Sequence, residues 1–210
     1  LVGPTSSVKE TDDFRARLIG VAAETPAYAV PPVGPTPASA YALAASNEIV
    51  LYDLRQAHAA FEEAARGRSR LEWRSNLDFP LPFLVAQAAA ADLVVVGRKT
   101  EAGPMPFSVN PGDLIMPLGR PVLVVPPGID HLDAKRVAVG WKNTREARRA
   151  VWDALPFLRQ ASRVVVISVD DGDGAADPKD IVGFLQTHDI YATAVRRESV
   201  GAVASEALDE

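Results

Sequence analysis

The sequence predicts an α/β protein built on an open parallel sheet. Short Val-rich runs alternate with longer Ala-rich stretches, which is the pattern of repeated βαβ units. The runs at residues 93–96 and 122–125 are apolar throughout, as in strands buried on both faces of a parallel sheet. Gly97 ends the first of these runs, so it marks a candidate ligand-binding edge at the carboxyl end of that strand.

Composition limits the class of protein. With 210 residues, 48% of them hydrophobic and 23% charged, the chain can fold as one large or two small globular domains. Its net charge of −5 argues against nucleic acid or an anionic membrane as the main partner. Because the sequence contains no cysteine, signal peptide or long apolar run, we expect a cytoplasmic protein.

The first half is predicted to contain a strand, a proline-rich loop, a helix, a strand, a helix and two further strands. Alternating or continuous apolar runs indicate the strands, and Ala-rich amphipathic stretches indicate the helices. Gly67 is expected to stop the first helix. In order, these elements are residues 17–22, 26–37, 51–65, 71–74, 83–91, 93–96 and 122–125, followed by Pro126, Pro127 and Gly128 at the predicted domain boundary.

The second half repeats the alternation. Asn143, with Glu146 three residues later, resembles a capping box that starts a helix, and Pro156 is expected to kink that helix or end its regular part. One buried helical face is predicted from Ala147, Ala150, Val151, Ala154, Leu155 and Leu158. The remaining elements are strands at residues 136–141, 163–169 and 191–195 and helices at residues 178–188 and 201–208.

Similarity between the halves predicts two domains, residues 1–128 and 134–210. The strands at residues 17–22 and 163–169 are about 146 positions apart, and each is followed by loop, helix, short strand and helix. By this alignment we expect the first domain to lack most of its first strand and the second to lack its last strands. The chain is therefore expected to be a fragment or a listing of ordered residues.

Four stretches resemble the tandem universal stress protein family of the adenine nucleotide α-hydrolase-like superfamily. They are ADLVVVGR, GRPVLVVPPG, RVAVGWKNTREARRAVWDALPFL and RVVVISVDD. The resemblance covers most of the chain and implies two Rossmann-like domains, with ATP or AMP as ligand in some members. It also implies dimerisation through the last strand of a domain. Here that strand comprises Val122, Leu123, Val124 and Val125, expected to pair with the other domain or with a second chain.

Nucleotide-binding relatives carry the motif Gly-x₂-Gly-x₉-Gly-Ser/Thr after their fourth strand. Glycines let backbone N–H groups approach phosphate oxygens, and a following helix N-terminus adds a favourable dipole. Gly97 matches the first glycine, but Thr100, Asn110 and Pro111 occupy the later positions. Gly112 can take the place of the motif's third glycine only if the loop is two residues longer than in the family.

Prolines weaken this phosphate site further. Pro104, Pro106 and Pro111 remove N–H donors and are expected to break the helix that would follow, and Asp113 adds a negative charge. We therefore predict that the first half has lost its phosphate cradle. Gly97 and Arg98 can be interpreted either as a phosphate-contacting turn or as a tight turn with solvated side chains.

The second half also departs from the family. Relatives have an Asp at the end of the first strand, whereas this chain has Lys142, followed by Asn143 and Thr144. A lysine can contact phosphate but cannot accept hydrogen bonds. Thr144 can alternatively be a helix cap that needs no ligand. Val169, at the end of the next strand, completes the candidate residues.

Other polar residues are better explained without catalysis. The acidic residues from Asp170 to Asp177 lack calcium-loop spacing, and His58, His131 and His188 lack metal-site spacing. No catalytic motif is found, so we expect no enzymatic activity. The leading hypothesis is a stress-response binding and signalling module that holds nucleotide in its second domain. The alternatives are a dimeric scaffold that binds no nucleotide and, more remotely, an ATP-using enzyme of the wider superfamily.

Overall fold

The chain forms two compact units, Leu1–Leu132 and Asp133–Glu210. The computed structural model describes residues 16–26, 37–98, 109–129, 131–170 and 177–198, without the side chains of residues 37–40, 42, 43, 170 and 198. Parallel strands alternate with helices throughout these ranges, which confirms the predicted α/β class. Within them, no helix is long and apolar enough to cross a membrane. That residues 1–128 and 134–210 are universal-stress-type domains stays a prediction.

The first sheet of unit 1 contains β1 (Leu18–Glu24) and β2 (Leu71–Leu77), which pair in parallel along their whole length. They are joined through α1 (Pro37–Ala64), a helix of 28 residues. The predicted helix at residues 51–65 was therefore too short at its start. Proline at the first turn of a helix costs no hydrogen bond, and the Ala-rich stretch after Pro37 favours continued helix. Residues 27–36 of the predicted loop lie outside the described residues.

Aromatic stacking joins α1 to this sheet. Leu54 and Phe61 of α1 are buried, and the indole of Trp73 on β2 stacks on His58 with ring centroids 4.9 Å apart. Phe61 also contacts Trp73, with centroids 5.4 Å apart. On the neighbouring strand Gly20 is paired with Trp73 in the register, and the two rings fill the space that a side chain there would need.

A second two-stranded parallel sheet contains β3 (Val94–Gly97) and β4 (Val122–Val125), close to the bounds predicted for both strands. Before it lies α2 (Pro80–Gln87), extended by a 3₁₀ turn at Ala88–Ala90. This helix starts earlier than predicted because Pro80 occupies its first turn. Val122 and Val124 pack against the core of this sheet, so the predicted pairing through β4 can use only its edge or its other face; that pairing stays a prediction.

Between β3 and β4 the chain forms α3 (Pro111–Leu118). The prediction that Pro111 breaks this helix was wrong. Asn110 caps the helix by accepting a hydrogen bond from the Gly112 N–H at 3.0 Å, and Pro111 occupies the first helical position, where its missing N–H is not needed. Gly119, with φ of 61°, ends the helix. The helix completes a core that contains Ala88, Val94, Val96, Leu114 and Leu118.

Unit 2 is a three-stranded parallel sheet in the order β5 (Arg136–Gly140), β6 (Arg163–Asp170) and β7 (Ala192–Glu198). One face packs against α4 (Arg145–Leu158) and α5 (Lys179–Gln186). This core comprises Trp141, Val151, Leu155, Leu158, Val164, Val166, Ile181, Leu185 and Ile190. The strands are confirmed with small shifts at their ends, α5 is shorter than the predicted helix, and the predicted helix at residues 201–208 lies outside the described residues.

The start and course of α4 differ from the prediction. The helix is capped by Thr144, whose side-chain oxygen accepts a hydrogen bond from the Ala147 N–H at 3.2 Å, and not by Asn143. It continues through Pro156 to Leu158, because a proline near the end removes a hydrogen bond from only the last turn. Its predicted buried face is confirmed at Val151, Leu155 and Leu158, but Ala150 is exposed.

Candidate functional site

The carboxyl end of β3 uses its backbone donors internally. Gly97 is paired with Val125 in the register, and the Arg98 N–H continues the ladder by donating to the Val125 carbonyl at 2.7 Å. The Gly112 N–H is likewise taken by Asn110. Two N–H groups that a phosphate would need therefore already have acceptors. Thr100, the second motif position, lies outside the described residues.

The capping role of Asn110 at the start of α3 can be tested by substitution. Replacing Asn110 by Ala removes the acceptor of the Gly112 N–H, and we expect the free energy of unfolding to fall by about 1 kcal/mol. Asn110→Asp keeps an acceptor oxygen at that position, so its free energy of unfolding should fall much less. Urea denaturation followed by circular dichroism measures both. Equal stability of Asn110→Ala and the wild type would contradict the capping role.

The equivalent edge of unit 2 lies where β5 and β6 end. The Trp141 N–H donates to the Ile167 carbonyl at 2.7 Å, so the ladder extends one residue beyond Gly140. A tight turn follows, in which the Thr144 N–H donates to the Lys142 carbonyl at 2.6 Å. The structure thus brings Lys142 and Thr144 to the same edge as the end of β6.

Side chains at this turn mostly support the helix that follows. Asn143 Oδ1 accepts a hydrogen bond from Arg148 Nη1 at 2.7 Å, and Thr144 caps α4. Lys142 is exposed, and Val169 near the end of β6 is 37% exposed. Of the four predicted residues, Asn143 and Thr144 therefore stabilise the start of α4, Lys142 places a positive charge at this edge, and Val169 places apolar surface there.

A carboxylate already lies at the N-terminus of α4. The backbone N–H of Glu146 donates to its own carboxylate and lowers the pKa of that group, and hydrogen bonds from Arg145 and Thr144 lower it further. The deprotonated carboxylate therefore persists at neutral pH and complements the positive end of the helix dipole. A phosphate at this helix end would meet an anion already in place.

Two polar atoms at this edge are buried without a hydrogen-bond partner among the described residues: Trp141 Nε1 and Ser168 Oγ. Trp141 is 8% exposed and Ser168 is 1% exposed. Since Gly140 is paired with Ile167, the next positions, Trp141 and Ser168, are neighbours across the two strands. Both side chains lie on the helix-covered face of the sheet. They mark the end of the apolar layer between that face and the helices.

Sequence reasoning missed both residues as candidates for binding. Trp141 is a core aromatic, as its burial in the unit 2 cluster shows. The alternation of side chains along β6 could have identified Ser168. It lies on the same face as the buried Val164 and Val166, so its hydroxyl points into the core layer. A similar atom in unit 1, Thr25 Oγ1 directly after β1, is also buried without a partner among the described residues.

Comparison with known proteins supports the fold. No family model matches the sequence, and no curated protein matches it either. Among solved structures, a universal stress protein from Archaeoglobus fulgidus DSM 4304 matches with a TM-score of 0.54 over 92% of this chain and 70% of that chain. The two sequences are 13% identical, so the match shows the fold alone. The chain has an α/β Rossmann-like fold of the universal stress protein type.

Proposed function

We propose that the chain is a stress-response binding module that holds an adenine nucleotide, ATP or AMP, at the carboxyl edge of the unit 2 sheet. The observation that carries the proposal is a pair of buried atoms, Trp141 Nε1 and Ser168 Oγ, to which no described residue offers a hydrogen bond. Leaving such a group unpaired costs about 1–3 kcal/mol. A bound molecule with matching hydrogen-bond groups removes that cost, and ligands in open parallel sheets bind at this edge.

The proposed roles follow from the chemistry of each side chain. The indole N–H of Trp141 can only donate, so it suits an adenine ring nitrogen or a ribose oxygen, whereas the Ser168 hydroxyl can donate or accept. Val169 follows Ser168 on the opposite face of β6 and offers partly exposed apolar surface at the same edge of the sheet. Lys142, next to Trp141 in the chain, supplies a positive charge for phosphate.

Calorimetric titration of the 210-residue chain with ATP and AMP tests the proposal directly. We expect saturable heat with at least one of the two nucleotides. No heat up to millimolar nucleotide overturns the proposal.

The substitution Ser168→Ala separates binding from stability. If the hydroxyl has no partner in the free protein, its removal should leave the melting temperature unchanged or raise it, because no hydrogen bond is lost. Nucleotide affinity should instead fall by roughly tenfold, as one ligand hydrogen bond disappears. Thermal unfolding and calorimetry provide the two measurements.

Ser162→Ala is the matched control. Ser162 lies just before β6, at the opposite end of the strand, and its Oγ donates to the Lys135 carbonyl at 2.8 Å. This variant should lose a little stability and no affinity. A loss of stability in Ser168→Ala without a loss of affinity would contradict the assigned role.

A dimeric scaffold without nucleotide is the second candidate. Glu146 and Thr144 already satisfy the N-terminus of α4, and a net charge of −5 repels polyphosphates. In this case titration gives no heat, and pairing through Val122, Leu123, Val124 and Val125 protects from hydrogen exchange the β4 amides that do not already donate to β3. A monomer in which those remaining β4 amides exchange freely would exclude the scaffold as proposed.

A further inference from the structure

Backbone donors at the start of α4 are occupied by the chain itself. The Thr144 N–H donates to the Lys142 carbonyl at 2.6 Å, the Ala147 N–H donates to Thr144 Oγ1 at 3.2 Å, and the Glu146 N–H donates to its own carboxylate. Donors in this position are the ones that commonly bind phosphate at a helix N-terminus. A phosphate that reached the start of α4 would therefore have to displace hydrogen bonds that already exist.

The charged side chains at the start of α4 are unequally placed. Lys142 is exposed in the turn before the helix, whereas Arg145 lies against an anion, with its Nε and Nη2 atoms each 3.1 Å from Glu146 Oε1. Arg148 is directed to Asn143, to which it donates at 2.7 Å. The turn can therefore attract one anionic group through Lys142, but a group that extends over the first turn of the helix meets the Glu146 carboxylate.

We infer that Glu146 makes the proposed site selective for a nucleoside monophosphate over a triphosphate, an inference that rests on the proposed function. A nucleoside held at Trp141 Nε1 and Ser168 Oγ, the two buried atoms of this edge, can pair its first phosphate with Lys142. The second and third phosphates of ATP would add negative charge near the Glu146 carboxylate. Because like charges repel and the backbone donors there are occupied, AMP should bind more tightly than ATP.

The Glu146 carboxylate is charged under the conditions in which nucleotides bind. Hydrogen bonds from its own backbone N–H and from Arg145 hold it at the helix start and keep its pKa below the ordinary value of a glutamate. The positive end of a helix dipole stabilises one negative group best when that group lies in the first turn. A phosphate must therefore compete with Glu146 for the same position, and removing the carboxylate should open that position to the outer phosphates of ATP.

Calorimetric titration of the 210-residue chain with AMP and with ATP, in the absence of divalent cations, tests the selectivity. The wild type should bind AMP more tightly. Glu146→Gln should raise the affinity for ATP roughly tenfold and that for AMP by no more than about twofold, because the removed charge acts mainly on the outer phosphates. Glu146→Ala also releases the Glu146 N–H, so it should favour ATP at least as much. Circular dichroism verifies that the variants fold.

Asp153→Asn is the matched control. It removes one negative charge from the same helix, where Asp153 accepts a hydrogen bond from Arg149 at 2.8 Å, but about two turns further from the edge. The ratio of the AMP and ATP affinities should not change in this variant. A wild type that prefers ATP, or an unchanged ratio in Glu146→Gln, would overturn the inference and leave the proposed nucleotide site standing. Absence of binding by the wild type and every variant would overturn the proposed function and this inference together.

Discussion

Replacing Gly20 by Ala is expected to lower the free energy of unfolding of unit 1 by about 1–3 kcal/mol. A Cβ atom at Gly20 would lie 2.5 Å from Trp73 Cε3 and 2.8 Å from Phe61 Cδ2, well inside van der Waals contact. The indole cannot move away freely. It stacks on His58 from α1, and its Nε1 donates to Ser75 Oγ at 3.1 Å. The strain must therefore shift the helix against the sheet.

Gly140→Ala is the control for this substitution. Gly140 is also a strand glycine, but a Cβ there would meet no atom within 4 Å. Urea denaturation of both variants, with hydrogen exchange of β1 and β2 as a local probe, should show a loss only for Gly20→Ala. Equal stability of the two variants would mean that the rings over Gly20 yield readily.

Replacing Leu114 by Ala is expected to cost about 2–5 kcal/mol, the range for a large aliphatic side chain removed from a core. Leu114 of α3 is 0% exposed and belongs to the cluster with Val94 and Val96. Since α3 has only eight residues, this anchor and Leu118 hold it on the sheet. If α3 detaches from the sheet, β3 and β4 should become exposed as well.

Ile115→Ala is a stringent control because the two residues are adjacent. Ile115 is 56% exposed, so its truncation should change stability by no more than about 0.5 kcal/mol. Thermal and urea unfolding of both variants measure the difference. Similar effects at positions 114 and 115 would show that the segment is not the helix described.

The helix α3 also shows where sequence reasoning fails. Proline usually breaks helices, and Pro111 was interpreted in that way. At the first helical position, however, a proline loses nothing, and Asn110 before it is a favoured cap. The same misjudgement shortened α1, which begins at Pro37. Whether a proline ends or starts a helix depends on which side of it the packed residues lie.

The candidate site shows a second limit. Alternation along β5 and β6 is enough to place Trp141 and Ser168 on the helix-covered face. Only the assembled unit shows that Trp141 Nε1 and Ser168 Oγ have no hydrogen-bond partner among the described residues. Conversely, Asn143 and Thr144 were predicted to bind ligand. In the structure Asn143 accepts a hydrogen bond from Arg148, and Thr144 caps α4.

The sequence by itself determined the α/β class and the positions of the strands, because Val-rich runs and helical periodicity act over a few neighbouring residues. It also identified the carboxyl ends of β3, β5 and β6 as candidate binding edges. The tertiary structure alone decided which face of α1 is covered, which glycine is crowded and which buried polar atoms have no hydrogen-bond partner in the described part of the chain. Those properties depend on contacts between residues far apart in the chain, such as Gly20 and Trp73, which no local pattern records.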